Sequence, residues 1–304
     1  MDIRIYKKTI LPALESYFIE KRIGIPPQKD NIFLCGAVST DSQKSGRFQL
    51  KEHFSQHYAD AYDFIIADDI SGKNDSEDDL LTQENILGDY SDCIIIILES
   101  ESAFAELGAF ANHKTLVEKL LIVNDKQFKG KKSFINKGPI QKINKLSTFK
   151  GEIFFKTKEA LLEITEPLIA KLQDNLPKNY KFCRFEKASD LCNDSIYPKR
   201  IKMVFVSEVL RILTPISLKD FVKVFNLLTK IERTTIEEII SICLSLNYFR
   251  EFGGFLVATE KKALRLKSDD SSKIRAIILQ EYLKHDKERM NQYFGFIKEE
   301  NLKI

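Results

Sequence analysis

The sequence lacks the features that mark membrane-spanning, secreted or zinc-binding proteins. It has four histidines and five scattered cysteines, with no CxxC pair and no third ligand beside His53 and His57. Its longest apolar run is far shorter than the ~20 residues that a membrane-spanning helix needs, and the first eight residues contain no signal-type apolar core. We therefore expect a cytoplasmic protein with reduced thiols, no membrane partner and no metal site.

The net charge is also low, at +3 over 304 residues. Electrostatics of the whole chain thus neither require nor exclude nucleic acid, and any basic binding surface must be local. Residues 126–132, which read KQFKGKK, are the best local candidate for a contact with nucleic acid or a diphosphate. A solvated loop is the alternative interpretation of this run.

Strands alternate with helices in the first half of the chain. Apolar runs predict strands at 31–36, 62–67, 93–98, 120–123 and 151–155. Helical patterns lie between or after them at 48–58, 80–87, 104–110 and 158–172. This alternation predicts an α/β domain with a doubly wound parallel sheet.

The second half is predominantly helical. Helices are predicted at 201–213, 218–228 and 235–246, followed by two short strands that Gly253-Gly254 joins into a hairpin, and Thr259 is a plausible N-cap of another helix. The pattern matches a winged helix-turn-helix. We expect an N-terminal helical lead-in at 1–30, the α/β domain at 31–173, a linker at 174–199 and the winged-helix domain at 200–304.

Residues 93–110, CIIIILESESAFAELGAF, are the most informative stretch for function. A β-branched run suited to a strand buried on both faces ends in a polar loop and continues as a helix. Ligands of α/β proteins bind at such carboxyl ends of parallel strands. Glu106 is predicted in the first turns of this helix, beside the pocket. A solvated glutamate that the helix dipole favours is the alternative.

Five short segments in this order carry a family resemblance. They read FLCG at 33–36, ENIL at 84–87, IIILES at 95–100, AELGAF at 105–110 and KSFINKGP at 132–139. Together they resemble the effector toxins of bacterial retrons, in the class with a nucleoside 2-deoxyribosyltransferase-like domain followed by a winged helix. One departure is Ser102-Ala103, where the family is expected to have Gly-Ser before the glutamate.

The resemblance implies an antiphage toxin in a higher-order assembly. A reverse transcriptase and its branched RNA–DNA product (msDNA) would restrain the toxin until phage infection. It also implies NAD+ glycohydrolase activity, with NAD+ as substrate, no other cofactor, and Glu106 as the central catalytic residue. Two alternatives stay open: a ribosyltransferase or nucleosidase acting on other nucleotides, and a non-catalytic nucleotide-sensing, DNA-binding regulator.

The chemistry of the residues favours NAD+ independently. Cleavage of an N-glycosidic bond passes through an oxocarbenium-like transition state, which an adjacent carboxylate can stabilise or attack. Nicotinamide leaves NAD+ as a neutral molecule and needs no proton, whereas the base of an ordinary nucleoside benefits from a general acid. The sequence offers Glu106 without an evident acid partner.

Other side chains at the predicted ligand edge are candidates for binding substrate. They are Cys35, Gly36, Asp69, Glu84, Asn85, Ser100, Ser102 and Asn136. The structural alternatives are a helix-surface pair for Glu84 and Asn85, an Asx-turn for Asp69 and a turn for Asn136. Leu80, Leu81 and Ile86 beside Glu84 and Asn85 suggest that one of the two polar side chains faces partly inward.

The third helix of the predicted winged helix carries Glu237 and Glu238 and almost no basic residues. Base-specific reading of DNA by this helix is therefore not expected. Phosphate contacts through Arg250, Lys261, Lys262 and Arg265, or contacts with protein, fit the sequence better, so we expect this domain to dock the effector onto its partners.

Overall fold

The computed structural model describes residues 2–20, 29–38, 45–67, 79–176, 188–189, 199–259 and 271–301. The chain divides into two compact units. One consists of residues 29–179, and the other combines residues 1–28 with residues 180–304. The N-terminal segment comprises a short turn, Ile3–Ile5, a π-helical stretch, Tyr6–Ile10, and helix α1, Leu11–Glu20. It belongs to the same unit as the C-terminal helices.

The unit formed by residues 29–179 contains a five-stranded sheet. Its strands are β1 (Asp30–Cys35), β2 (Tyr62–Ile65), β3 (Cys93–Ile97), β4 (Leu120–Asp125) and β5 (Ile153–Phe155). The spatial order is β2-β1-β3-β4-β5 and every pairing is parallel. The predicted α/β class with a parallel sheet is confirmed. The order is consistent with a doubly wound sheet, whose strand order reverses between β1 and β3.

Within the described residues of this unit, five helices flank the sheet: α2 (Gly46–His57), α3 (Leu80–Tyr90), α4 (Glu101–Asn112), α5 (Gln141–Leu146) and α6 (Thr165–Asn175). Helix α5 was not predicted. The expected single helix at 158–172 was wrong in its first half, where Lys158–Ile164 forms a 3-10 segment with non-helical angles at Ala160. Regular helix begins only at Thr165, and Pro167 fits its first turn because that position needs no N–H donor.

The central strands are buried on both faces, as their β-branched sequence predicts. All five residues of β3 are inaccessible to solvent, and so are Ile32 and Leu34 of β1. On one face of the sheet, the core includes Leu50 and Phe54 of α2 together with Leu168 and Leu172 of α6. This dry, rigid centre holds the ends of β1 and β3 in fixed positions.

The second unit consists of helices around a small hairpin. After α1 come α7 (Lys199–Leu213), α8 (Leu218–Thr229), α9 (Arg233–Ser245), the strands β6 (Phe249–Phe252) and β7 (Phe255–Ala258), α10 (Ser271–His285) and α11 (Lys287–Asn301). The strands pair antiparallel, and Gly253 and Gly254 both have positive φ, which a tight hairpin turn requires. The predicted helices and hairpin are present. The helix expected after Thr259 falls on residues 260–270, outside the described residues.

Helices α10 and α11 were not predicted from the sequence. Part of their packing is polar, which a search for apolar periodicity overlooks. Arg289 of α11 is 1% exposed; it donates to the hydroxyl of Tyr6 at 2.8 Å and to Asp220 at 2.9 Å, and its guanidinium lies 4.3 Å from the ring centre of Tyr282. Burial raises the pKa of Tyr6 to about 12, against the opposing effect of Arg289. This network fixes the N-terminal segment to α8 and α11.

Candidate active site

The loop after β3 ends in a capped helix. Ser100 is the N-cap of α4, where its Oγ accepts a hydrogen bond from the Ala103 amide at 3.3 Å and lies 2.9 Å from Oγ of Ser102. Ser102 is exposed. Of the two predicted substrate-binding serines, Ser100 therefore has a structural role as a helix cap. The hydroxyl of Ser102 is within hydrogen-bond distance of the Ser100 hydroxyl.

Glu106 lies on the inward side of α4. Ala103 and Phe110 of this helix are buried, and Glu106 is three residues after one and four before the other, so it shares their face. Its side chain is half-buried and its Oε2 atom is fully buried. The carboxylate is thus directed into the protein and not into bulk solvent.

The thiol of Cys35 joins β1 to this carboxylate. Cys35 is the last residue of β1, is 2% exposed, and donates a hydrogen bond to Glu106. Burial raises the pKa of the Cys35 thiol well above its usual range, and the charges of Glu106 and Glu84 raise it further, while Arg47 opposes them. Cys35 is therefore a neutral hydrogen-bond donor to Glu106, and its protonated thiol is a poor nucleophile.

Glu84 lies close enough to Cys35 for its charge to act on the thiol. Glu84 and Asn85 are both half-buried on α3, whose buried residues include Leu87 and Gly88. The prediction that Leu80 and Leu81 mark the inward face of this helix was wrong, since they are 64% and 51% exposed. The inward face is instead defined by the residues that follow, three and four positions after Glu84. The site thus contains a second carboxylate.

Glu99 is a functional candidate that the sequence interpretation missed. Its Oε1 accepts hydrogen bonds from the amides of Ala37 at 3.2 Å and Gly46 at 3.0 Å, and its Oε2 lies 3.1 Å from the Gly46 amide. A Cβ atom on Gly36 would come within 2.9 Å of Glu99 Oε1. Gly36 is therefore explained by the close approach of this carboxylate, which holds both ends of the loop between β1 and α2.

Arg47 is the second missed residue. It is in the first turn of α2 and only 6% exposed, and a Cβ atom added to Gly36 would lie 3.6 Å from the Cβ of Arg47. Its positive charge acts on the Cys35 thiol together with the two glutamates. A lone arginine within a Ser- and Lys-rich segment gave no pattern from which its burial could be predicted.

The two other predicted site residues are placed differently. Asn136 starts the π-helical segment Asn136–Ile140, and its side-chain amide donates to the carbonyls of Phe128 at 2.9 Å and Lys131 at 2.8 Å. This amide group organises a loop. Asp69 lies outside the described residues.

The arrangement gathers Cys35, Glu84, Glu106 and Arg47 where the strand order reverses. Two carboxylates, a buried cation and a neutral thiol donor can bind a positively charged sugar centre and hold a carboxylate against it.

Asp92 precedes β3 and accepts from the Asn31 amide at 2.7 Å, which puts it at the opposite edge of the sheet. Among the described residues, no group of three His, Cys, Asp or Glu side chains could hold a metal ion.

Comparison with known proteins identifies the family. The model of the STM3845 retron effector protein family matches residues 43–251. The chain belongs to this family. One relative, "Retron Ec73 putative ribosyltransferase/DNA-binding protein" of Escherichia coli, is 34% identical over 228 residues, which are 70% of this chain and 72% of the relative.

A second relative of the retron effector covers less of the chain. The Escherichia coli protein named "Retron Ec86 putative ribosyltransferase/DNA-binding protein" is 39% identical over 123 residues, or 40% of this chain and 39% of its own length. Both names describe ribosyl transfer and DNA binding. In the described part of the retron effector, no helix is long and apolar enough to cross a membrane.

Proposed function

We propose that this retron effector cleaves the N-glycosidic bond of NAD+ and releases nicotinamide, with Glu106 as the catalytic carboxylate. The observation that carries the proposal is the buried Glu106 carboxylate that accepts a hydrogen bond from Cys35 at the end of β1. Two relatives named as ribosyltransferases support N-ribosyl chemistry. The nucleoside deoxyribosyltransferase-like resemblance of the α/β unit is part of the same proposal.

In this mechanism, Glu106 acts on the anomeric carbon of the nicotinamide ribose. Its negative charge stabilises the oxocarbenium character that develops as the C–N bond breaks, or its oxygen attacks that carbon directly. The bonding electrons go to the pyridinium ring, which departs as neutral nicotinamide. Water then completes hydrolysis at the anomeric carbon. The neutral Cys35 thiol orients the carboxylate and does not compete as a nucleophile.

Glu84 makes the identity of the leaving group an experimental question. The sequence offered no evident acid partner for Glu106, but the structure has a second carboxylate near Cys35. A protonated Glu84 could assist the departure of adenine, as a general acid does in nucleosidases. A pyridinium leaving group needs no such acid, so the proposed NAD+ chemistry does not require a protonated Glu84.

The second unit is proposed to dock the effector onto the retron reverse transcriptase and its msDNA. Helices α7 to α9, the β6–β7 hairpin and the bridge between Ile216 and Leu256 support a winged-helix arrangement. In α9, Arg233 forms an ion pair with Glu237 at 2.9 Å. That neutralised pair supports a role in assembly over base reading. Antiphage toxicity, released from this assembly, completes the proposal.

A comparison of substrates tests the chemistry. The purified effector is incubated separately with NAD+, adenosine and deoxyadenosine, and nicotinamide and adenine are measured by chromatography. We expect nicotinamide release from NAD+ and little adenine release, because a charged leaving group needs no acid. All three substrates have a ribosyl or deoxyribosyl C1′, so Glu106 alone does not discriminate between them.

Glu84→Gln supplies the control for this experiment. If Glu84 is ionised and only assists binding, the variant keeps the preference for NAD+. Rapid adenine release by the parent that is lost in Glu84→Gln would contradict the NAD+ proposal. That result would identify the effector as a nucleosidase with Glu84 as its acid.

A further inference from the structure

The positive charge of the effector is concentrated after β4. Residues 126–150 contain eight lysines and no aspartate or glutamate, although the whole chain has a formal net charge of only +3. The rest of the chain is therefore net acidic. Five of these lysines fall within residues 126–137, here named the lysine loop, and all five are exposed. Their positions are 126, 129, 131, 132 and 137.

The lysine loop also exposes aromatic side chains. Phe134 is 84% exposed, more than any other large hydrophobic side chain in the described part of the chain, and Phe128 is 38% exposed. The ammonium group of Lys131 lies 4.7 Å from the centre of the Phe128 ring. An aromatic ring that is open to solvent, in a segment with five exposed lysines, provides a surface on which a base can stack.

Hydrogen bonds hold the lysine loop in one conformation. The Asn136 amide bridges the Phe128 and Lys131 carbonyls, and the Asn136 N–H donates to Ser133 Oγ at 3.2 Å. Gly130 has φ +73°, the left-handed conformation that glycine adopts readily. The loop is therefore already ordered, which lowers the entropic cost of binding a ligand.

We propose that the lysine loop binds single-stranded nucleic acid, with its lysines on phosphates and Phe134 stacked on a base. A dinucleotide diphosphate has only two negative charges, fewer than five exposed lysines can neutralise. Stacking on Phe134 requires an unpaired base, which favours a single strand over a duplex. The proposal concerns binding and does not depend on the proposed NAD+ cleavage.

Fluorescence anisotropy with the full-length effector tests the phosphate contacts. The probes are labelled single strands of about 16 nucleotides, one of DNA and one of RNA with the same sequence, and the corresponding DNA duplex. The variant combines K129Q, K131Q and K132Q. We expect its affinity for single strands to fall roughly tenfold or more. Its slope of log affinity against log salt should become shallower by about 2, since each lost phosphate contact contributes roughly 0.7.

The matched control combines K219Q, K223Q and K230Q, which remove three exposed lysines from the other unit with the same change in net charge. We expect it to bind within twofold of the parent. Equal loss of affinity in the control would mean that binding is not specific to the lysine loop and would overturn the proposal. Tighter binding of the duplex than of either single strand would also overturn it.

Phe134→Ala tests the stacking contact. We expect about tenfold weaker binding of single strands at an unchanged salt slope, because a base–aromatic contact is lost while the lysines remain. Phe294→Ala is the control, since Phe294 is 53% exposed in the other unit. Unchanged single-strand affinity of both lysine-loop variants, with a raised KM for NAD+, would show a diphosphate site and contradict the proposal.

Discussion

Glu99 shows how a single side chain outside the substrate contacts can hold a loop of the candidate site in place. Its carboxylate accepts hydrogen bonds from two amides that are nine residues apart in sequence, at Ala37 and Gly46. Charge-assisted hydrogen bonds of this kind are about twice as strong as neutral ones. Cys35 and Arg47 adjoin the two ends of the loop that Glu99 holds. Glu99 therefore positions the thiol that contacts Glu106 and the guanidinium whose charge acts on that thiol.

Glu99→Gln is expected to weaken the site without removing a group that contacts the substrate. The neutral amide is a poorer acceptor, and with its oxygen on both backbone donors its nitrogen would face the Gly46 amide, which Oε2 approaches in the parent. We predict roughly tenfold lower kcat/KM and a loss of about 1–3 kcal/mol in stability, measured by steady-state kinetics and chemical unfolding. Glu101→Gln is the matched control because Glu101 is exposed in the first turn of α4. Equal behaviour of the two variants would contradict a positioning role for Glu99.

At the residue scale, what the sequence could predict depended on regular spacing. Glu106 could be predicted at the ligand edge because it follows an unmistakable buried strand, and Cys35, Gly36 and Glu84 because they adjoin similar strands and helices. Glu99 and Arg47 were missed because their partners are distant in sequence. The partners of Glu99 are backbone amides, which any residue provides, so no residue type in the loop signals the contact.

At the scale of elements, strongly periodic segments were predicted well and polar packing was not. The apolar residues of β3 form a continuous run that is typical of a buried strand. Those of the three helices at 199–245 recur with the period of an α-helix, so each pattern predicts one type of element. In α11, by contrast, Arg289 occupies a fully buried position through bonds to Tyr6 and Asp220. The sequence has no local sign of that network, because its members are up to 283 residues apart.

The same network predicts a pH-dependent contribution from Tyr6. Its pKa is raised from 10.0 to about 12 in the folded protein, so the neutral phenol stabilises the fold below pH 10. This contribution is lost as pH rises from 10 to 12. Tyr6→Phe should therefore reduce the decline in stability over this range. It should also cost about 1–3 kcal/mol near pH 7, because buried Arg289 loses an acceptor.

Unfolding measured by circular dichroism at pH 7, 10 and 11.5 checks this prediction. Tyr293→Phe is the control, since it removes a hydrogen bond from Arg275 at a half-buried position of the same unit. We expect Tyr293→Phe to cost less at pH 7 and to retain the parental decline. A parental decline in Tyr6→Phe would show that Tyr6 does not contribute to it.

At the scale of the whole molecule, the boundaries of the two compact units determine which fragment is expected to fold on its own. The N-terminal helices form one compact unit with residues 180–304, whereas the α/β unit spans residues 29–179. Sequence patterns predicted the parallel sheet of the α/β unit and the helices and hairpin of the other unit. They did not indicate that the first 28 residues pack with the last 125, because amphipathic helices do not specify their partners.

Residues 29–179 alone provide a test of assembly. We predict that this fragment folds cooperatively and still binds single-stranded oligonucleotides through the lysine loop, but no longer co-purifies with the reverse transcriptase. Tagged full-length effector, co-expressed with the same retron components, is the control. Recovery of reverse transcriptase with the fragment at the level of the full chain would contradict the docking role of the other unit.

The central claim is that Glu106 catalyses N-glycosidic cleavage of NAD+, and nicotinamide release by Glu106→Gln tests it most directly. A neutral amide keeps the size of the side chain but cannot stabilise oxocarbenium charge, so we expect the rate to fall by about 10²–10³-fold or more. Circular dichroism and oligonucleotide binding should match those of the parent, and Glu101→Gln should retain full activity. A folded Glu106→Gln effector that releases nicotinamide at the parental rate would contradict the account.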